Sequence, residues 1–163
     1  MFELKSAEAG SKQEFYRQLN EQLKHLLEGE RDLMANSSNA ASLLYWTLPD
    51  VNWSGFYFMK DGELVLGPFH GKPACVRIAV GRGVCGTAAR EKKTLVVPNV
   101  NEFPGHIACD SASLSEIVLP IVKYHKLIGV LDIDSPKASR FDEEDRTGLE
   151  EFVRVFGEQT HLL

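Results

Sequence analysis

The spacing of hydrophobic positions changes twice along the chain, from helical periodicity to alternation and back again. Residues 11–46 carry apolar side chains three or four positions apart, which predicts two helices. Ser11 and Glu14 are spaced as in a capping box at the start of the first helix. Alternating apolar and polar residues follow over residues 51–135, and helical spacing returns over residues 142–160.

The alternating section is divided by turn residues into six strands, with a glycine-rich turn opening a short helix at residues 81–90. The predicted strands cover residues 51–59, 63–69, 74–80, 94–97, 116–124 and 127–134. This order predicts an α+β fold, a central antiparallel sheet with the N- and C-terminal helices on one face and a ligand pocket on the other. We expect one domain over residues 1–163.

Alternation also predicts a cluster of acidic side chains in that pocket. Residues two apart on a strand project from the same face, so Asp132 and Asp134 point into one space. Glu116 joins them if the hairpin loop has three residues, 124–126, whereas a two-residue loop at 125–126 would turn Glu116 towards the core. The hydrophobic pattern favours the first register.

Two aromatic residues, Trp53 and Tyr57, share one face of the first predicted strand. Buried aromatics are most often core residues, and the strand alone favours that interpretation. Their combination with acids and thiols instead indicates a pocket for a small, partly cationic ligand that reacts with sulfur.

Three cysteines occur, Cys75, Cys85 and Cys109, in no spacing typical of zinc sites or of a disulfide-rich secreted protein. Cys109 lies in a polar, turn-rich loop over residues 101–113, where a reactive thiol is expected. Cys85 lies in the first turn of a predicted helix beside Arg82, where the helix dipole lowers a thiol pKa, so local physics favours Cys85 as the nucleophile. Cys75, on the strand before the glycine-rich turn, is the natural second thiol.

Composition excludes several classes of function. The chain has 163 residues and a formal net charge of −5, with no long basic run, so nucleic acid is not an expected partner. No stretch approaches the roughly 20 apolar residues that span a bilayer. We expect no metal or organic cofactor. We also expect a cytoplasmic location, because no apolar signal segment opens the chain.

Over residues 12–160 the sequence resembles the GAF-domain free methionine-(R)-sulfoxide reductases. The resemblance is carried by residues 52–57, 66–75, 81–87, 97–100, 106–109, 116–120 and 129–135, together with Ser113. It implies reduction of free methionine-(R)-sulfoxide by thiol chemistry. Cys109 would be the thiolate that attacks the sulfoxide sulfur, Cys75 the resolving thiol, and Cys85 an alternative resolver, which overrules the dipole argument for Cys85.

The other predicted site residues have roles consistent with that resemblance. Glu116 and Asp134 would act on the sulfoxide oxygen, because a sulfoxide reacts with a thiolate only when its oxygen is polarised or protonated. Asp132 would bind the substrate ammonium group. Trp53 and Tyr57 would hold the S-methyl end and select the configuration at sulfur.

The expected reductant is thioredoxin, which would reopen an intramolecular disulfide. The amphipathic terminal helices make a homodimer an expectation as well. The alternative function is a stand-alone GAF module that binds or senses a small ligand such as a nucleotide.

Overall fold

The computed structural model describes residues 2–4, 10–106 and 111–163, and the predicted order of elements is confirmed there. The helices are α1 (Lys12–Leu26), α2 (Leu33–Thr47), α3 (Gly83–Glu91) and α4 (Glu143–Gln159). The strands are β1 (Trp53–Lys60), β2 (Glu63–Gly71), β3 (Arg77–Ala79), β4 (Leu95–Val97), β5 (Ser115–Lys123) and β6 (Lys126–Ser135). A turn of 3-10 helix covers Val100–Glu102. None of the helices in these ranges is long and apolar enough to cross a bilayer.

The caps of the first and last helices follow the local sequence. The Ser11 hydroxyl accepts a hydrogen bond from the Glu14 backbone N–H at 3.2 Å. The Glu14 carboxylate binds the Arg17 side chain, whereas the predicted capping box would have returned it to the Ser11 backbone. The complete capping box is at α4, where the side chains of Asp142 and Asp145 each accept from the backbone N–H of the other.

The six strands form one antiparallel sheet in the order β3-β2-β1-β6-β5-β4. Helices α1, α2 and α4 pack on one face, against β-strand residues that include Phe56, Ile117, Leu131 and Ile133. Helix α3 packs on the opposite face, which confirms that the terminal helices leave one side of the sheet available for a pocket.

The turn between β5 and β6 differs from the predicted three-residue loop. Only Tyr124 and His125 lie in the turn, because Lys123 pairs directly with Lys126. Both turn residues have positive φ, 50° and 64°. Two successive residues of this kind form the tight turn whose twist matches that of the flanking antiparallel strands.

A register shift between Ile121 and Val122 compensates for the shorter turn. Beyond that shift Ile121 pairs with Gly129, and the register continues to Glu116 opposite Asp134. The predicted pairing of the two acids is therefore confirmed, although a tight turn with a bulge produces it. The bulge returns the apolar residues of both strands to the helix-covered face.

Candidate active site

A pocket opens on the face of the sheet opposite the three large helices, between the strands, α3 and the segment before β3. Of the predicted site residues in the described part of the chain, all but Cys75 line it directly: Trp53, Tyr57, Cys85, Glu116, Asp132 and Asp134. Cys109 lies outside the described residues. Strand alternation brings the two aromatic and three acidic side chains together, because β1, β5 and β6 each contribute the residues of their pocket face. Helix α3 contributes Cys85.

The three acids lie side by side on β5 and β6. Glu116 pairs with Asp134, and Asp132 is the next residue of β6 on the same face. Glu116 and Asp132 each expose only 6% of their surface, and Asp134 is half-buried. Two carboxyl groups are thus withdrawn from water within one small pocket, while a third stands nearer its opening.

Burial dominates the electrostatics of this cluster. Loss of hydration, together with the charges of Asp132 and Asp134, holds the pKa of Glu116 well above its usual range. Burial also raises the pKa of Asp132, although hydrogen bonds from Glu116 and Cys85 oppose that rise. Of the two carboxyl groups, Glu116 has neighbouring charges that add to the effect of burial, so its environment favours the protonated form that donates a hydrogen bond to Asp132.

Asp132 has a further oxygen available in the pocket. Among the described residues, no group donates a hydrogen bond to its Oδ1 atom, which is shielded from solvent. A buried carboxylate oxygen without a donor is unfavourable unless a ligand supplies one. This atom is suited to bind a cationic or N–H donor.

Cys85 lies directly beneath the acids. Its Sγ atom is 3.9 Å from Oε1 of Glu116, and the residue is only 5% exposed. Burial, followed by the charges of Asp132, Glu116 and Asp134, raises the pKa of the Cys85 thiol well above its usual range. The expectation of a lowered pKa at the helix start is wrong, because desolvation and three acids outweigh the helix dipole.

Glycines allow α3 to pack close enough for this contact. At Gly86 any side chain would place its Cβ atom 2.4 Å from the carbonyl oxygen of Ala79, so only glycine fits there. Gly81 has a φ of +91°, which turns the chain sharply into the helix. The close packing of α3 on the end of β3 places Cys85 under β5 and β6.

We therefore expect Cys85 to react slowly with alkylating reagents in the native protein. Reduced protein treated with iodoacetamide at neutral pH should label Cys85 at least about tenfold more slowly than the same chain in denaturant, because the buried thiol keeps its proton. Mass spectrometry of the labelled peptides measures both rates. Equal rates in the two states would show that Cys85 is an accessible thiolate.

Trp53 and Tyr57 form the aromatic wall of the pocket. They are 3% and 2% exposed, and their ring centroids lie 6.1 Å apart in a stacked arrangement. Trp53 Nε1 donates to the backbone carbonyl of Lys72 at 3.0 Å, and the Tyr57 hydroxyl donates to that of Cys75 at 2.8 Å. Both polar groups are thus satisfied. Trp53 also stacks on Phe69, with ring centroids 5.2 Å apart, and the parts of the Trp53 and Tyr57 rings that line the pocket give it an apolar surface.

Cys75 lies in the irregular segment between β2 and β3, and the prediction that placed it on a strand is wrong. Ladder pairing of β3 begins only at Arg77, opposite Val65. Pro73 two residues earlier cannot donate a ladder hydrogen bond, which favours an irregular segment. Cys75 is disulfide-bonded, whereas Cys85 is a free thiol.

One group of described residues has the donor atoms to hold a metal ion. The Sγ atom of Cys85 and carboxylate oxygens of Glu116 and Asp132 all lie within 4.8 Å of one another. Metal ligation requires their deprotonated forms. Since burial raises the pKa of all three groups, a metal ion that bound here would have to displace protons.

Basic residues on loops complete the pocket, and sequence reasoning gave them no role in binding. Lys72, Arg82 and His106 line it from three different connecting segments. Burial lowers the pKa of His106, which favours its neutral form. No periodicity marks loop positions. The signals in the sequence were the proximity of Arg82 to Cys85 and the segments that carry the resemblance, 66–75, 81–87 and 106–109, which contain these residues.

Comparison with known proteins places the chain in a defined family. The GAF domain family matches residues 13–160, which is most of the chain. The chain belongs to the GAF-domain family. Its six-stranded antiparallel sheet with four helices is a GAF fold.

Within the GAF family the chain is similar along most of its length to free methionine-R-sulfoxide reductases. It is 53% identical to the Escherichia coli protein of that name over 88% of this chain and 87% of the other. It is 44% identical to the Saccharomyces cerevisiae protein over 89% and 85% of the two chains. The crystal structure of the Neisseria meningitidis enzyme in complex with its substrate superposes with a TM-score of 0.93, at 40% identity over 98% and 95% of the two chains.

Proposed function

We propose that this protein reduces free L-methionine-(R)-sulfoxide to L-methionine. The observation that carries the proposal is the buried carboxyl cluster, in which burial and the charges of Asp132 and Asp134 raise the pKa of Glu116. Relatives at 53% and 44% identity bear the name of this activity, which supports the same chemistry here.

Glu116 supplies the acid that the reaction needs. A sulfoxide is a poor electrophile until its oxygen is polarised, and a carboxylic acid with a raised pKa can donate a hydrogen bond to that oxygen near neutral pH. Asp134, opposite Glu116 at the more open side, is assigned to the same oxygen. The oxygen thus lies between the two side chains as negative charge develops on it.

The rest of the pocket suits a free amino acid. Asp132 is assigned to the substrate ammonium group, which would donate to its Oδ1 atom, a buried oxygen that accepts no hydrogen bond from the described residues. Arg82 and the first-turn N–H groups of α3 offer complementary charge for the carboxylate. A methionine sulfoxide within a peptide lacks both charges and would leave the buried Asp132 without a cationic partner. The apolar S-methyl group is assigned to the ring surfaces of Trp53 and Tyr57.

Oxygen transfer then requires one thiol. The Cys109 thiolate attacks the sulfoxide sulfur, and the oxygen is transferred so that methionine leaves and Cys109 becomes a sulfenic acid. The sulfoxide sulfur is reduced by two electrons, and the Cys109 sulfur is oxidised by two. The proton that Glu116 shares with the oxygen completes the sulfenic acid.

The resolving thiol is assigned to Cys75. It would condense with the sulfenic acid to give a disulfide and water, which a thioredoxin dithiol then reduces by exchange. Cys75 is disulfide-bonded in the structure while Cys85 is a free, buried thiol of raised pKa, and this difference supports Cys75 over Cys85.

The alternative, a GAF module that senses a nucleotide, is less well supported by this pocket. A nucleotide carries several negative charges, and buried acids line the pocket wall formed by β5 and β6. An ionised carboxylate on this wall would repel a phosphate, whereas it would attract an ammonium group.

A coupled assay with thioredoxin, thioredoxin reductase and NADPH tests the proposed function. We expect NADPH oxidation with free L-methionine-(R)-sulfoxide, and at least about a hundredfold less with the S epimer or with the N-acetylated R compound, which lacks the ammonium charge. Comparable rates with the N-acetylated compound would contradict the assignment of Asp132. No oxidation with any of the three would refute the proposed function.

A further inference from the structure

The segment that carries Cys75 is held by the same two aromatic residues that form the pocket wall. Residues 72–75, here called the Cys75 segment, join β2 to β3 without regular structure. Trp53 donates to the carbonyl at the start of this segment and Tyr57 to the carbonyl at its end, at 3.0 Å and 2.8 Å. The second of these carbonyls belongs to Cys75 itself.

The chain also packs closely on Trp53 where the segment begins. Gly71 has a φ of +132°, and a Cβ atom there would lie 2.5 Å from the Trp53 ring. Only glycine allows the backbone to pass this close. The Cys75 segment therefore leaves β2 against one aromatic side chain and reaches Cys75 at the hydroxyl of the other.

The hydrogen bond from Tyr57 is well protected. Its ring is 2% exposed, and burial with the neighbouring acids raises the pKa of the hydroxyl, so Tyr57 remains a neutral donor. The ladder of β2 and β3 begins at Arg77, two residues after Cys75, so Cys75 lies outside that ladder. The Tyr57 hydroxyl is thus a direct restraint on the backbone of the resolving thiol.

We propose that Tyr57 is a positioning residue for the second step of the reaction, in which its hydroxyl holds the backbone of Cys75 so that the thiol can reach the sulfenic acid. This inference rests on the proposed function. In that step the Cys75 sulfur bonds to the Cys109 sulfur, the S–O bond breaks, and the oxygen leaves as water with the thiol proton. The Cys75 sulfur is oxidised and the Cys109 sulfur is reduced.

The roles of the ring and the hydroxyl of Tyr57 are separable. The ring faces the pocket, whereas the hydroxyl binds the Cys75 segment. Tyr57→Phe keeps the ring and removes the donor, so it should slow disulfide formation more than oxygen transfer. The loss of one neutral hydrogen bond corresponds to a factor of about 3 to 10.

Rapid mixing of reduced protein with free methionine-(R)-sulfoxide separates the two steps. Released methionine measures oxygen transfer, and the loss of free thiols measures disulfide formation. Dimedone, followed by mass spectrometry, traps sulfenic acid at Cys109. In Tyr57→Phe we expect disulfide formation to slow by about 3- to 10-fold, oxygen transfer to slow by a smaller factor, and trapped sulfenic acid to increase.

Three further variants make the test specific. Tyr45→Phe removes a phenol outside the pocket and should change neither step. Trp53→Phe removes the Nε1 donor to Lys72 at the other end of the segment, and it should also increase trapped sulfenic acid. Cys75→Ser sets the upper limit of trapping.

Equal slowing of both steps in Tyr57→Phe, or no increase in trapped sulfenic acid, would overturn the inference and leave the proposed function standing. Absence of methionine release from the wild-type protein would overturn the proposed function and this inference together.

Discussion

Cys109→Ser is expected to lower turnover of free methionine-(R)-sulfoxide by about a thousandfold or more. A serine hydroxyl keeps its proton at neutral pH and is a far weaker nucleophile towards sulfur than a thiolate. Removing the nucleophile of a covalent mechanism leaves only the contribution of binding and polarisation. The coupled assay with thioredoxin measures the loss.

Cys85→Ser is the matched control, since it removes a thiol that lines the pocket. Its effect should be much smaller than that of Cys109→Ser, because Cys85 is a buried thiol with a raised pKa. If Cys85→Ser abolished activity and Cys109→Ser did not, the roles of the two thiols would be reversed and the local dipole argument restored.

Glu116→Gln should lower kcat by about a hundredfold with a smaller change in KM. Glutamine has the same shape and can donate a hydrogen bond to the sulfoxide oxygen, but it cannot deliver a proton as the S–O bond breaks. Steady-state kinetics in the coupled assay separate the two constants. Asp132→Asn is the matched control, and it should raise KM more than it lowers kcat because Asp132 is assigned to the ammonium group.

The pH dependence of activity provides a second test of Glu116. The wild-type kcat should fall as pH rises through the raised pKa of this carboxyl, since the acid is lost when it ionises. This alkaline fall in kcat should be absent from the pH profile of Glu116→Gln. The same alkaline fall in both proteins would assign the titration to another group and contradict the role of Glu116.

Stability should respond to the same substitution with a predictable sign. The folded pKa of Glu116 is raised, so between the unfolded and folded pKa values the native state binds more protons than the unfolded state. The contribution of Glu116 to stability is therefore fully present below the unfolded pKa and is lost as pH rises through the folded one. Glu116→Gln should raise Tm by about 2 to 4 °C relative to wild type at pH 8, and by less at pH 5.

The alternation of side chains was sufficient to predict the acid cluster from sequence. Asp132 and Asp134 differ by two positions, and the buried face of β6 demands that the residues between and before them point to the helices. The same constraint placed Glu116 opposite Asp134, since any other register would have turned an acid into the core.

Features that depend on compensation were predicted poorly. The turn at Tyr124 and His125 has two residues with positive φ, and the bulge that corrects its register lies just before it in β5, between Ile121 and Val122. The hydrophobic pattern constrains only the net register of β5 and β6, which the turn length and the bulge set together. It therefore gave the correct pairing of the acids with an incorrect loop.

The pKa shift of Cys85 could not be predicted from the sequence. The position of Cys85 in the first turn of α3 was correctly predicted, but the direction of its pKa shift was not, because burial and facing acids come from other elements. Similarly, Lys72 and His106 reach the pocket from loops, where no periodic signal exists. Tertiary contacts decide both outcomes, and neither is encoded in a local window of sequence.

The most direct measurement is a single turnover of reduced protein without any external reductant. We expect free methionine-(R)-sulfoxide to yield one methionine per chain, with the loss of two thiols, and the S epimer to yield almost none. No methionine from the R epimer would contradict the central claim that this pocket is a free methionine-(R)-sulfoxide reductase site, as would equal yields from both epimers.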